Sequence, residues 1–341
     1  MTVAPVGNIR EGKSAMWMTR TGLLIGLALA WMLPAAAVAQ TFPDRPVHVL
    51  MPFPTGTGPD AVMRLVGERL TRIWGQQVII DNRPGGNGFI AMTAAKRAPA
   101  DGYTLVMVDY GVVSVLPHLF AKTIPYDSVK DFDAVAPMYW AYWFMAIPGD
   151  SKFTGVPDLI AEAKAKNGDY TYGSSGVGSP MHLQAATFES MTGTKMTHIP
   201  YKETPQVIAD ISRSDLGWAF TTGATGGPLV KAKKIRFLAV ASPQRHPSFP
   251  DVPTLAEAGG PANLDLRTWV ALYAPRGVPK PVLHKINTDI ATVLSDPEVR
   301  ERLNTMGLES WVGSSSDLNR QFEGDLKKYG ELTTKLKLSL D

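Results

Sequence analysis

Two glycine-rich turns carry the residue types that could hold a small anion. The first reads Met51-Pro52-Phe53-Pro54-Thr55-Gly56-Thr57-Gly58-Pro59-Asp60, and Pro59 suits the first turn of a helix that would start there. Free N–H groups at a helix start attract negative charge by about 0.3–1 kcal/mol at an exposed site, and Gly56 and Gly58 let a ligand approach the backbone closely. A plainer reading stays open: the glycines make a tight connection and Asp60 caps the helix. The second turn, Tyr172-Gly173-Ser174-Ser175-Gly176-Val177-Gly178-Ser179-Pro180, again joins a strand end to a helix start. Its hydroxyl and N–H groups suit a carboxylate bound without a buried arginine, whose desolvation would be costly.

Other chemistries fit these residues less well. Gly56-x-Gly58-x-x-Ala61 with Asp81 matches a dinucleotide fingerprint, but Pro54 and Pro59 lie inside the turn. A serine hydrolase would use Ser175 or Ser179 as nucleophile and His182 as base, yet Val177 stands where G-x-S-x-G needs its last glycine. His182 also follows Ser179 on the same helix with no third group to orient it. The chain has no cysteine, which removes thiol redox chemistry, disulfide frameworks and zinc ribbons. No H-x-x-E-H or H-E-x-x-H spacing occurs, so no metal site of that kind is expected. In the run Tyr139-Trp140-Ala141-Tyr142-Trp143-Phe144, strand alternation puts Tyr139 and Trp143 on one face. They could stack on a flat ligand or simply pack under helices.

The elements that must position these turns alternate between strand and helix almost throughout, which predicts an α/β fold with mainly parallel sheets. The first unit runs from a strand over 47–53 to a helix with Val62, Leu65, Val66, Leu70 and Ile73 on one face, then strands at 77–81 and 103–108. An extended apolar segment at 134–147 crosses to a second series of βα units. A returning strand at 266–274 leads to two final helices, marked by Val282, Ile286, Ile290 and Val293 and by Leu318, Phe322, Leu326 and Tyr329, which should pack back on the first domain.

A length of 341 residues suits two domains, and 45% hydrophobic with 19% charged residues describes a chain able to bury a core. Residues 18–40 read as an export signal: Arg20, an apolar stretch from Leu23 to Leu33, then Ala37-Val38-Ala39 before a cut between Ala39 and Gln40. Translation could begin at Met1 or at Met18. The formal charge is +3, and removing residues 1–39 takes away Arg10, Lys13, Arg20 and Glu11, which leaves a net of +1. That near-neutral balance excludes a nucleic-acid partner of the usual basic kind.

Taken in order, the motifs resemble the Bug family, the extracytoplasmic solute-binding receptors of tripartite tricarboxylate transporters. The likeness is carried by Phe42-Pro43-Asp44-Arg45-Pro46-Val47, by Pro52-Phe53 with Asp60, and by Asp81-Asn82-Arg83-Pro84-Gly85-Gly86-Asn87-Gly88. Further along stand Pro99-Ala100-Asp101-Gly102-Tyr103-Thr104-Leu105, Ile124-Pro125-Tyr126-Asp127, Tyr172-Gly173-Ser174-Ser175-Gly176, Ile199-Pro200-Tyr201-Lys202, Asp251-Val252-Pro253-Thr254 and Trp269. The resemblance implies a two-domain periplasmic-binding-protein (Venus flytrap) fold, with one domain from 40–142 plus 267–341 and the other from 143–266. It implies no catalysis and no cofactor. It implies a monomer in the periplasm that hands a small carboxylate to the large and small membrane subunits of such a transporter.

Carried over to this chain, the ligand-binding residues would be Phe53, Thr55, Gly56, Thr57 and Gly58; Asp109, Tyr110 and Ser114; Ser174, Ser175, Gly176 and Ser179; and Thr221 and Thr222. Tyr139 and Trp143 join them from the aromatic run. Thr55-Gly56-Thr57 departs from the family's usual Pro-Gly-Gly, Thr221 stands where many relatives carry an acid, and Glu203 replaces a usual glycine. These departures and the aromatic run favour an aromatic, phthalate- or terephthalate-like dicarboxylate. A linear di- or tricarboxylate is the alternative ligand. An exported serine hydrolase and a sensor for a membrane kinase are the alternatives of other classes.

Overall fold

The computed structural model describes residues 1–4, 42–202, 204–335 and 338–341. The export signal with its cleavage site and Glu203 lie outside the described residues.

A six-stranded sheet organises the first lobe, in the order β11-β4-β10-β3-β1-β2. Its strands are β1 (Val47–Met51), β2 (Val78–Asn82), β3 (Thr104–Asp109), β4 (Phe132–Ala141), β10 (Thr268–Pro275) and β11 (Leu308–Ser310). β1 pairs parallel with β2 and β3, as expected where a helix carries the chain from one strand to the next. β10 runs antiparallel to β3 and β4, and β11 antiparallel to β4. β4 carries the chain out of the lobe and β10 brings it back, so their opposed directions follow from the crossover; β11 adds an antiparallel edge. Helix α1 (Gly58–Trp74) starts after Thr57 with a proline in its first turn and ends at Gly75 in the left-handed conformation. Its buried face is Val62, Leu65, Val66 and Leu70. Ile73, expected on that face, is 48% exposed. Trp74 is buried instead, donating its indole N–H to Asp289 at 2.6 Å, which rotates the end of the stripe by one residue.

Helix α2 (Phe89–Lys96) leads to β3, and β3 runs into a π-helical turn at Gly111–Val115 and the short helix α3 (Leu116–Leu119). This bulged segment has no periodic signature in the sequence.

β4 is followed after Tyr142 alone by β5 (Trp143–Pro148), which belongs to a second sheet. That sheet has the order β8-β5-β9, with β8 (Ala219–Thr222) and β9 (Ile235–Val240) both antiparallel to β5. A parallel pair, β6 (Thr171–Ser174) and β7 (Thr197–Pro200), completes the second lobe. Its helices are α4 (Val156–Lys166), α5 (Pro180–Thr192), α6 (Thr204–Ser212) and α7 (Gly223–Lys231). The chain then returns through Leu264 and Leu266, which are buried in the second lobe's core, to β10.

The closing helices α8 (Lys280–Ser295), α9 (Pro297–Thr305) and α10 (Ser315–Lys335) follow β10, and α8 and α10 lie on the first lobe; two were expected from the apolar stripes, and the short α9 between them was not. Asn287 of α8 donates to the Val135 carbonyl at 3.0 Å, and Ser315 of α10 donates to the same oxygen at 2.6 Å. Leu318, Phe322 and Tyr329 of α10 enter the core with Trp269 and Tyr273 of β10. Burying an aliphatic or aromatic side chain of this size contributes about 1.5–3 kcal/mol, so the C-terminal stripe is a major tie of the first lobe.

Candidate functional site

Where the lobes meet, a cavity of about 370 Å³ opens between the turn after β1, the loop before α2, the bulged segment after β3 and the turn before α5. Phe53, Gly85, Asn87 and Gly88 form one side. Asp109, Tyr110, Gly111 and Val112 continue it, with Leu116, Leu119 and Phe120 beyond. Ser175, Val177, Gly178, Ser179, Pro180 and Leu183 of the second lobe face them. The C-terminal tail adds Leu340, whose backbone N–H donates to the Leu119 carbonyl at 2.8 Å.

The turn before α5 is a folded polar loop. Gly176 and Gly178 have φ of 119° and 78°, a region other residues enter only under strain. Ser179 caps α5 by accepting the His182 N–H at 3.4 Å, and the Gly178 N–H donates to His182 Nδ1 at 3.1 Å. His182 Nδ1 is therefore an acceptor already in use, and the base role that a hydrolase would require of it is not available there. The histidine beside a serine hydroxyl is His198, with Nε2 2.6 Å from Ser174 Oγ. His182 and His198 stack at 4.1 Å, and Tyr172 stacks on His198 at 5.1 Å. Burial pushes the His198 imidazole down to about 4, helped by the neighbouring His182. Burial lowers His182 as well. Both rings are neutral at pH 7. The sequence reading missed this pair because it depends on β6 and β7 lying side by side, which sets Tyr172 opposite His198.

The turn after β1 is differently occupied. Its Gly56 N–H donates to Asp60 Oδ2 at 2.9 Å, and Asp60 also accepts from Asn82 at 2.9 Å and Arg64 at 3.0 Å. Asp60 is buried, and the Arg64 hydrogen bond is the main cause holding its carboxyl at about 2. The Gly56 amide is thus filled by the chain's own carboxylate, although Asp60 does not act as the expected cap: the helix begins after Thr57 without a side-chain cap, and Asp60 reaches back from inside it. Phe53 lines the cavity, whereas Thr55, Gly56, Thr57 and Gly58 lie outside its lining.

The remaining expected residues fall into two groups. Asp109 and Tyr110 are on the wall with Ser175 and Ser179. Asp109 accepts the Val112 N–H at 3.0 Å, and Tyr126 fixes the same loop by donating to the Val112 carbonyl at 2.7 Å. Burial raises the Asp109 carboxyl above the ordinary range, against the lowering effect of the Val112 and Gly111 N–H groups.

Ser114, Ser174, Gly176, Tyr139, Trp143, Thr221 and Thr222 lie outside the lining. Ser114, Ser174 and Thr221 are each 0% exposed. Tyr139 is buried in β4 opposite Val270 and Ser310, and Trp143 donates to Thr268 at 3.0 Å where the chain crosses between sheets. Thr222 caps α7 by accepting the Thr225 N–H at 3.4 Å. The aromatic run is the packed waist of the molecule: Trp140 stacks on Trp311 at 4.5 Å and Arg267 lies 4.9 Å from the Trp140 ring. Among the described residues no group of His, Asp and Glu has a metal-binding arrangement.

Comparison with known proteins agrees with this architecture. Residues 62–338 match the Tripartite tricarboxylate transporter family receptor. A UPF0065 protein of Bordetella bronchiseptica is 35% identical over 302 residues, covering 88% of this chain and 88% of the relative. Protein BugT of Bordetella pertussis is 30% identical over 315 residues, covering 91% and 95%. Among solved structures, Rpa4515 of R. palustris with adipate is 31% identical with a TM-score of 0.75, covering 88% of this chain and 100% of that one. The chain belongs to the receptor family of the tripartite tricarboxylate transporters, with a two-domain α/β solute-binding fold that serves capture and not catalysis.

Proposed function

We propose that this protein is a periplasmic receptor that captures a small carboxylate with a largely apolar body and delivers it to the large and small membrane subunits of a tripartite tricarboxylate-type transporter. The observation that carries the reading is the cavity itself. Polar turns at 85–88 and 175–179 stand beside an apolar wall that includes Val112, Val115, Leu116 and Leu119, on two lobes that the chain crosses between at 141–143 and 266–268. Ser175 and the start of α5 would take the carboxylate, with Asn87 and Gly88 opposite. The domain limits proposed are 40–142 plus 267–341 and 143–266, with residues 1–39 removed on export. Support for a carboxylate also comes from the relative whose structure holds adipate.

The finer reading is an aromatic acid, and Phe53 and Phe120 are the rings that would flank it. Tyr139 and Trp143 no longer support that choice, because both are committed to the waist. The test is a thermal-shift screen of the protein against linear mono-, di- and tricarboxylates, benzoates and phthalate isomers. An acid at about 100 times its dissociation constant stabilises the fold by about 2.7 kcal/mol. A shift with a benzoate and none with linear acids supports the finer reading; a shift with linear acids alone discards it and keeps the receptor.

A further inference from the structure

The cavity is chemically lopsided for an anion site. Of the side chains that line it, Asp109 is the one carboxylic acid, and none is a lysine, arginine or histidine. No side chain among the described residues bonds the Asp109 carboxylate; its protein partners are the backbone N–H groups of Val112 and Gly111. The neighbouring wall, with Val112, Val115, Leu116, Leu119, Phe120 and Leu183, offers nothing polar from its side chains. An ionised carboxylate taken out of water needs an opposite charge or a full set of donors, and a second carboxylate beside Asp109 would meet a like charge instead.

We propose that Asp109 is a specificity-determining residue that accepts a hydrogen bond from a hydroxyl or amino group at the end of the ligand remote from its carboxylate, so that the receptor takes a donor-tipped acid with an apolar body and rejects the corresponding ionised dicarboxylate. The inference rests on the carboxylate-receptor reading above and narrows it. Terephthalate-like dianions fall outside the class selected. A hydroxyl donates and an ammonium donates with charge assistance, so both satisfy Asp109, and the two are separated by the ligands tested. The backbone N–H groups already on Asp109 hold its carboxylate in one orientation, which leaves lone pairs for a ligand donor.

The test is titration calorimetry of the full chain at neutral pH with two ladders: hexanoate, 6-hydroxyhexanoate, 6-aminohexanoate and adipate; and benzoate, 4-hydroxybenzoate, 4-aminobenzoate and terephthalate. Each is repeated on Asp109→Asn. In at least one ladder the hydroxy or amino acid should bind about tenfold or more tightly than both the plain acid and the dicarboxylate. In Asp109→Asn the amide oxygen can keep the Val112 N–H bond and turn its NH₂ toward the ligand, so the margin over the dicarboxylate should fall at least about fivefold. A dicarboxylate that binds the wild type as tightly as the donor-tipped acid overturns the proposal. So does a margin that survives Asp109→Asn. Should the variant fail to fold, the wild-type ladder decides by itself. Binding of dicarboxylates alone leaves the receptor standing and removes only the selection, whereas binding of no acid removes both.

Discussion

Each of three ionisable side chains shows a different use of burial. Asp60 is ionised and fully engaged, and Asp60→Ala should cost about 2 kcal/mol in a denaturant titration, the usual scale for losing hydrogen bonds to a charged group. Its pKa of about 2 lies below the ordinary 3.8, so its contribution is complete above the ordinary value and is lost as pH falls toward 2. His198 acts in a higher window. Its folded value of about 4 is below the ordinary 6.5, so the unfolded chain binds the extra proton first and stability falls as pH drops from about 6.5 to 4. Melting temperatures between pH 7 and 4 should show this slope, and His198→Gln should flatten it; an unchanged slope would contradict the buried neutral stack. Asp109 has the opposite sense, since its carboxyl is raised. The folded state therefore holds the proton more firmly than the unfolded chain, so this group costs stability as pH rises above the ordinary carboxylate range, and Asp109→Asn should raise the unliganded melting temperature at neutral pH. These environments were barely legible beforehand. Asp60 stood in a recognised turn and Asp109 at the end of an expected strand, but which carboxylate would be partnered by an arginine depends on distances that spacing does not encode.

The turn before α5 is the element on which the proposed site depends. Its form as a polar strand-to-helix turn was legible because glycines and serines between a strand end and Pro180 permit few structures. Its tertiary contact was not. A Cβ at Gly178 would come within 2.8 Å of Leu119 Cδ1 on the opposite lobe, and Gly178 has φ of 78°. Gly178→Ala should therefore cost about 1 kcal/mol of backbone strain and also press the lobes apart. We expect a lower melting temperature together with weaker binding of whichever acid the screen selects. Loss of stability with affinity intact would show that the Gly178–Leu119 approach does not shape the cavity. The bulged segment after β3 marks where sequence reasoning stopped. A π-helical turn at Gly111–Val115 has neither the 3.6-residue nor the two-residue period, yet it places Val112 and Val115 on the wall. The aromatic run was left open for a related reason: five large rings in six positions are compatible with a cleft or a waist, and the pairing of β4 with β10 buries Tyr139 in the sheet.

At the scale of the whole molecule, the alternation of strand and helix, a crossing somewhere within 134–147 and the return of the C-terminal helices to the first lobe were legible as pattern. The antiparallel crossover strands, β11 and the Leu340 tail were not, because each is fixed by a partner far away in the chain. Two lobes joined at a narrow waist, with a cavity between them, form the physical basis of a receptor that encloses a small solute. Because Leu119 and Leu340 approach Gly178 across that cavity, a ligand there touches both lobes at once. The most direct measurement is a crystal structure of the protein with the acid that gives the largest thermal shift. The account predicts its carboxylate at Ser175–Ser179, its body against Val112, Leu116 and Leu119, and its far end at Asp109. A ligand bound instead at the turn after β1, at Thr221 and Thr222, or outside the space between the lobes would contradict it.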